Sequence, residues 1–132
     1  KYTLAYTKAG LSPDASSSFY LPRLVGYRRA KELMLSNRLI SAEEALNIGM
    51  IDKVVEDESL MNDTHIMAEK FASGPTNAYG SVKKLLISSF ANGLESQLNM
   101  ESIHISNNGS SEDGIEGMSA FAEKRKPNFK GE

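Results

Sequence analysis

Asp14 is the residue on which chemistry in this chain can turn. It follows Pro13 in the stretch "LSPDASSSFYLPRLVG" (Leu11–Gly26), and small residues including three serines separate it from an apolar-aromatic run. Two readings fit the local sequence. A short carboxylate here can accept backbone N–H bonds from a helix beginning near Ser16, with Pro13 setting φ for the turn. It can equally stand at the mouth of a pocket where a substrate reaches it. Other reactive side chains are sparse. The chain has no cysteine, which excludes disulfides, thiolate metal sites and cysteine nucleophiles together. His65 and His104 are far apart and neither sits in an H-x-x-x-H spacing. Both read as structural, with no carboxylate or cysteine at ligand spacing, and no metal site is expected.

The rest of the composition narrows the partners. A chain of 132 residues is one domain's worth and can bury roughly two-thirds of its unfolded surface. The formal net charge of −2 and pI near 5.8 offer no general attraction to nucleic acid or to an anionic membrane. No apolar run approaches the ~20 residues of a membrane span, and no basic segment leads into an apolar one as in a signal peptide. A cytoplasmic protein with no nucleic-acid or membrane partner is the expectation.

Few elements are available to position Asp14. "KYTLAYT" alternates in a way that suits a short strand, and "MIDKVVE" (Met50–Glu56) is a second strand candidate. A strand needs neighbours, and these two supply little sheet. The remainder reads helical. Ser16–Val25 and Tyr27–Leu35 are two apolar-spaced segments hinged near Gly26. In "SAEEALNIGM", Ser41 is an N-cap, Glu44 completes a capping box and Gly49 is a C-terminal stop. Residues 57 to 73 form a helix with an acidic start, broken at Gly74–Pro75, and Thr76 caps the next helix through Phe90. Leu94–Ile105 is a further helix, and "SNNGSSEDG" reads as a polar loop. The last helix runs from Asp113 to Lys126, acidic at its start and basic at its end, as the macrodipole favours.

In order, "AGLSPDASSSFYLPRLVG", "RAKELMLSNRLISAEEALNIGMIDKVV", "SVKKLL" and "EGMSAFAEKRKPNF" resemble the enoyl-CoA hydratase/isomerase (crotonase) family across essentially the whole chain. The resemblance implies a mostly α chain, the C-terminal helical part of a crotonase-type ββα-spiral α/β fold, with one or two short strands. Residues 1–132 would form a single domain. Of these, 1–56 would end the spiral core and supply the first helices, and 57–132 would form a helical oligomerisation region. Family members are considerably longer. Both backbone N–H donors of the oxyanion hole, each worth on the order of 3 kcal/mol, fall in their N-terminal half together with most of the CoA cleft.

The same resemblance assigns candidate roles. In isomerase-type members the residue at Asp14 moves a proton between the α and γ carbons of an acyl-CoA. In the 4-chlorobenzoyl-CoA dehalogenase-like members an Asp there is the nucleophile; a carboxylate can serve either role. Hydratases carry a catalytic Glu where this chain has Tyr6, so hydration is disfavoured. Tyr6 is then either a core aromatic or a wall of the acyl pocket, and Leu11 and Phe19 are further substrate-binding candidates. Ser16 and Ser17 stand where many relatives have glycines. Phe121 and Lys124 resemble late-helix residues that reach the adenine or phosphates of CoA, with an aromatic face and an ammonium group suited to each. No metal and no separate cofactor are implied, because CoA enters as part of the substrate.

The expected function is Δ3,Δ2-enoyl-CoA isomerisation by a single carboxylate shuttle on an acyl-CoA thioester. The alternatives are a dehalogenase-like nucleophilic chemistry at Asp14, or a non-catalytic oligomerisation or CoA-binding module. Partners would be further copies in trimer-type contacts or an N-terminal half. Apolar surface left without that half should drive self-association, and these residues alone should be weakly active or inactive.

Overall fold

Between the first two helices the backbone adopts φ 83°, ψ 151° at Gly26. That region is essentially closed to residues with a Cβ and strains them by about 1–3 kcal/mol, so glycine is what lets α1 (Ser17–Val25) turn directly into α2 (Tyr27–Ser36). The computed structural model describes all of Lys1–Glu132, in two compact units, Lys1–Glu58 and Ser59–Glu132. α3 (Ala42–Asn47) completes the first. α4 (Leu60–Ala72), α5 (Thr76–Ser88), α6 (Leu94–Gly109) and α7 (Glu112–Glu123) make the second.

The first unit is held by two small apolar clusters. Leu21, Val25 and Ala30 form one; Leu33, Ile40 and Ala45 form the other. Leu4, Ile48 and Met50 pack against both and join them. The expected leading strand is reduced to one antiparallel bridge, with Tyr2 and Ile40 exchanging both N–H···O bonds at 2.9 Å. Thr7–Ala9 then forms a 3-10 turn, and Met50–Glu56 forms no strand. The physical reason is the one that limits any isolated strand: without a neighbouring strand its N–H and C=O groups have no ladder to join.

Ser41 caps α3 as its sequence suggests, its hydroxyl accepting from Glu44 N–H at 3.1 Å. Only half of the expected capping box forms. The Glu44 carboxylate faces Arg38 instead, at 2.7 and 3.0 Å, while the same guanidinium holds Glu32 at 2.8 and 3.2 Å. One forked cation with five donors thus joins α2 to α3 and keeps both carboxylates below their ordinary range. Asn37, left-handed at φ 52°, closes α2 and binds the N-terminal segment back onto it. Its side chain receives Lys8 N–H at 3.2 Å and donates to Thr7 Oγ1 at 2.7 Å; Thr3 and Thr7 hydroxyls donate to the Asn37 and Met34 carbonyls.

In the second unit α5, α6 and α7 pack in sequence. α6 runs through Gly109, so most of the expected polar loop is helix and the reversal needs only Ser110 and Ser111. Ser111 makes that possible: its hydroxyl donates to the Asn108 carbonyl at 2.7 Å and accepts from Gly114 N–H at 3.1 Å. A Cβ on Gly114 would collide with the Asn108 carbonyl, so this close approach requires glycine. Pro75, not Thr76, occupies the N-cap of α5. Buried Ser81 joins α5 to α6 through His104 Nδ1 at 3.0 Å and Asn108 Oδ1 at 3.3 Å. His104 is thus a partnered structural histidine. His65 does have a carboxylate within reach, contrary to the sequence reading: Glu69 lies one turn on, at 3.2 Å, with both side chains exposed.

The residues after α7 are strapped back onto it. Asp113, only 5% exposed, accepts the N–H groups of Lys130 at 2.7 Å and Gly131 at 2.9 Å, and its own N–H donates to the Glu132 carbonyl. Asn77 donates to the Gly131 carbonyl at 3.0 Å. Glu116 takes Arg125 at 2.6 and 2.8 Å and the Asn128 N–H at 2.8 Å. The guanidinium first, and the Asn128 N–H second, hold the Glu116 carboxyl down at about 2, against an ordinary 4.5. A depressed folded-state pKa gives stabilisation that is complete above pH 4.5 and is lost as the pH falls toward 2. Melting curves should therefore separate the native chain from Glu116→Gln at neutral pH and bring the two together at the acid end of that window.

Candidate functional site

Whether Asp14 caps a helix is answered by the first turn of α1. The N-cap position belongs to Ser16, and no side chain accepts from the helix there. Ala15 and Ser16 both stand in the left-handed region, at φ 48° and 61°. This costs non-glycine residues roughly 1–2 kcal/mol each. The kink draws Ser17 back onto the main chain of Asp14, whose carbonyl accepts from Ser17 N–H at 2.9 Å and from Ser17 Oγ at 2.6 Å. The helix is thereby tied to the Asp14 carbonyl, and the carboxylate is left for other work. The residues expected to be glycines in relatives are thus those bearing the backbone strain, or next to it.

What the carboxylate faces is Tyr6. The main-chain carbonyl of Tyr6 accepts from Ala9 N–H and Leu11 N–H, each at 3.0 Å, so the chain doubles back directly after Tyr6. The Tyr6 phenol lies close to Asp14 and to the Ser17 hydroxyl. The hydrogen bond to Asp14, then burial, then the carboxylate's charge push the phenol above its ordinary 10.0; the Ser17 and main-chain bonds pull the other way.

The other sequence candidates spread out. Leu11 joins the Tyr6 turn through its main chain, but its side chain is 62% exposed. Phe19 lies on α1 under the Arg23 guanidinium, 3.7 Å from its ring centroid, and edge-on to Tyr20. An apolar groove of roughly 360 Å³ opens beside Pro13 and is bounded by Pro22, Tyr27, Met34 and Leu35, with Lys31 its one charged group. Neither Tyr6, Leu11 nor Phe19 lines it. Sequence reasoning missed Tyr27, Met34 and the Asn37 anchor. An Asn directly after a helical segment is a recognisable left-handed C-cap and could have flagged the last of these.

Phe121 and Lys124 belong to the second unit, at the end of α7. Phe121 is 87% exposed, and Lys124 is the left-handed C-cap at φ 55°, its N–H accepted by the Phe121 carbonyl at 3.2 Å. An aromatic face and a cation are thus presented together at one helix end. No three His, Asp or Glu side chains converge as metal ligands, and no helix is long and apolar enough to cross a membrane.

Known proteins share this sequence and fold. The sequence model of the enoyl-CoA hydratase/isomerase family matches residues 1–132. The chain is 40% identical over 131 residues to the 1,2-epoxyphenylacetyl-CoA isomerase of Escherichia coli (strain K12), covering 99% of this chain and 50% of that protein. It is 40% identical over 92 residues to 4-chlorobenzoyl coenzyme A dehalogenase-1 of an Arthrobacter species, covering 70% of this chain and 33% of that one. The crystal structure of an enoyl-CoA hydratase from Bacillus anthracis superposes with a TM-score of 0.85 at 36% identity, over 96% of this chain and 49% of that one. The chain spans about half the length of the curated relatives it matches first. A match over every residue, together with a shared helical architecture, means that this chain belongs to the enoyl-CoA hydratase/isomerase family and corresponds to the C-terminal half of its fold.

Proposed function

We propose that this chain carries the proton-shuttling part of an acyl-CoA isomerase site, with Asp14 as the base that takes a proton from the α carbon and returns it at the γ carbon. The observation that carries the reading is the Asp14 carboxylate, which α1 leaves uncommitted and which lies close to the Tyr6 phenol where a second carboxylate would stand in a hydratase. Hydration calls for water to be activated and a proton delivered, a task for two such groups, whereas a double-bond shift needs one carboxylate that is first base and then acid. Charge that builds on the thioester oxygen requires an oxyanion hole, and its donors are assigned to the N-terminal half of the fold. Phe121 and Lys124 are assigned to the adenine and phosphates of CoA, on the strength of their joint exposure at the end of α7. The apolar side chains exposed on α5, α6 and α7 support assembly with further copies or with that N-terminal half.

The likeness to a 4-chlorobenzoyl coenzyme A dehalogenase favours a second reading, in which Asp14 attacks the substrate and forms an ester. Calorimetric titration with an enoyl-CoA and with free CoA tests the site itself. Saturable binding that is tighter for the acyl form supports a working acyl-CoA site. Equal affinity for the two ligands leaves only a CoA-binding module, and no heat at millimolar ligand removes the site from this chain.

A further inference from the structure

We propose that the cleft between the first turns of α5 and α7 is a peptide-recognition site, filled by the chain's own residues 127–132 and able to take the same segment from a second copy. The inference is independent of the acyl-CoA reading, since it uses neither the Asp14 turn nor the Phe121 and Lys124 side chains.

The strap is held as an extended ligand is held. Past Arg125 the chain forms no helix or turn, and its burial alternates: Pro127, Phe129 and Gly131 are half-buried, while Asn128, Lys130 and Glu132 are exposed. A period of two is what an extended segment shows when one side lies against a surface. The N–H of Asn128 donates to Glu116 at 2.8 Å, and those of Lys130 and Gly131 donate to Asp113 at 2.7 and 2.9 Å. The Gly131 carbonyl accepts from Asn77 and the Glu132 carbonyl from Asp113 N–H, each at 3.0 Å. Each of these contacts reaches the main chain of the strap.

The inward side chains supply specificity. The Phe129 ring lies over Gly117, where a Cβ would come within 3.3 Å of it, and walls a cavity of about 260 Å³ together with Pro75, Ala78 and Met118. Two residues on, Gly131 stands at φ 83°, and a Cβ there would lie 2.6 Å from Thr76 Oγ1. The cleft thus reads an aromatic residue and, two positions later, a glycine. Main-chain bonds for affinity and pockets for alternate side chains are the means by which extended peptides are recognised in general. Neither requires the ligand to be joined to α7. The joining residues Lys124, Arg125 and Lys126 are exposed, so the segment can leave as a unit and a second copy's segment can replace it.

Two measurements on the full chain test this. In native-state amide exchange, Asn128, Lys130 and Gly131 should share one protection factor of about 10³, at least about tenfold below those inside α5 and α7. Strap amides that exchange only together with the interior of α7 would make the strap an integral part of the fold and overturn the proposal. The second measurement titrates a labelled synthetic peptide of residues 127–132 into Gly131→Ala, whose own strap no longer fits. Binding should saturate at micromolar peptide, because a short tether supplies a millimolar effective concentration and the closed state is favoured about 10³-fold. On the native chain the occupied cleft should weaken the same peptide by about 10³-fold. Peptides carrying Phe129→Ala or Gly131→Ala should bind at least about tenfold more weakly than the native sequence. Equal binding of the three peptides, or binding by none, would overturn the proposal. Phe129→Ala repeats the titration if Gly131→Ala loses its helical signal. Unfolding of both variants would overturn it as well, since a detachable ligand leaves its cleft standing.

Discussion

Asp14→Asn should lower isomerase turnover by about 10³-fold in a protein that carries both halves of the fold, within the range lost when a positioned general base is removed. Asparagine has nearly the same shape and the turn from Tyr6 to Ser17 is held by main-chain groups, so that turn should survive. What it cannot do is accept and return a proton. The informative readout is deuterium at the γ carbon of an enoyl-CoA in heavy water, because it follows the shuttle itself. Asp14→Glu should retain more activity than Asn but lose about 10²-fold, since an extra methylene moves the oxygen by roughly 1 Å or more from a place set by the main chain. Mass spectrometry after incubation with 4-chlorobenzoyl-CoA separates the second reading. An aryl adduct on Asp14 would make the carboxylate a nucleophile, and a clean mass with ongoing deuterium exchange would keep it a base.

Asp113→Ala should destabilise the second unit by about 3–5 kcal/mol, the largest stability loss expected from any one side chain here. The carboxylate is almost wholly buried and accepts from two main-chain N–H groups of the terminal strap. Hydrogen bonds to a charged group contribute about 1.5–3 kcal/mol each, and their removal also strands the Lys130 and Gly131 amides. Phe129, which packs against Gly117, and the Asn77 bond to Gly131 would loosen with the strap. Chemical denaturation of the variant should show a lower midpoint. Asp113→Asn, which keeps one acceptor oxygen, should fall between the two.

Helices were legible in the sequence wherever a start and a stop flank an apolar period. Ser41 and Gly49 bracket α3 as their chemistry requires, and Gly26 parts α1 from α2. What failed to show was long-range competition for a side chain. Glu44 has the spacing to complete a capping box, but Arg38 offers it two charge-assisted bonds, which outweigh one to a backbone N–H. Strand-like alternation at the N-terminus carried no information about whether a partner strand exists, and only Ile40 pairs with it. Polar residues from Ser106 to Gly109 suggested a loop because their side chains favour turns, although nothing in their backbone forbids helix. At the candidate site the sequence flagged Asp14 and Tyr6 separately. The backbone around them depends on two left-handed residues, a proline and a distant asparagine, none of which leaves a periodic trace.

The apolar residues that remain on the surface also govern the thermal behaviour. Leu94 and Ile105 are 74% exposed, Phe121 more so, and no large side chain is completely buried. The heat capacity of unfolding follows newly hydrated apolar area, and here much of that area is already wet. The increment should fall below the ~12–15 cal/mol/K per residue of ordinary domains, giving a shallow stability curve and a broad calorimetric transition. Whatever covers these side chains on assembly should then give a large negative heat-capacity change of its own. On the proposed assembly, the calorimetric signature of a hydrophobic core would belong more to association than to folding.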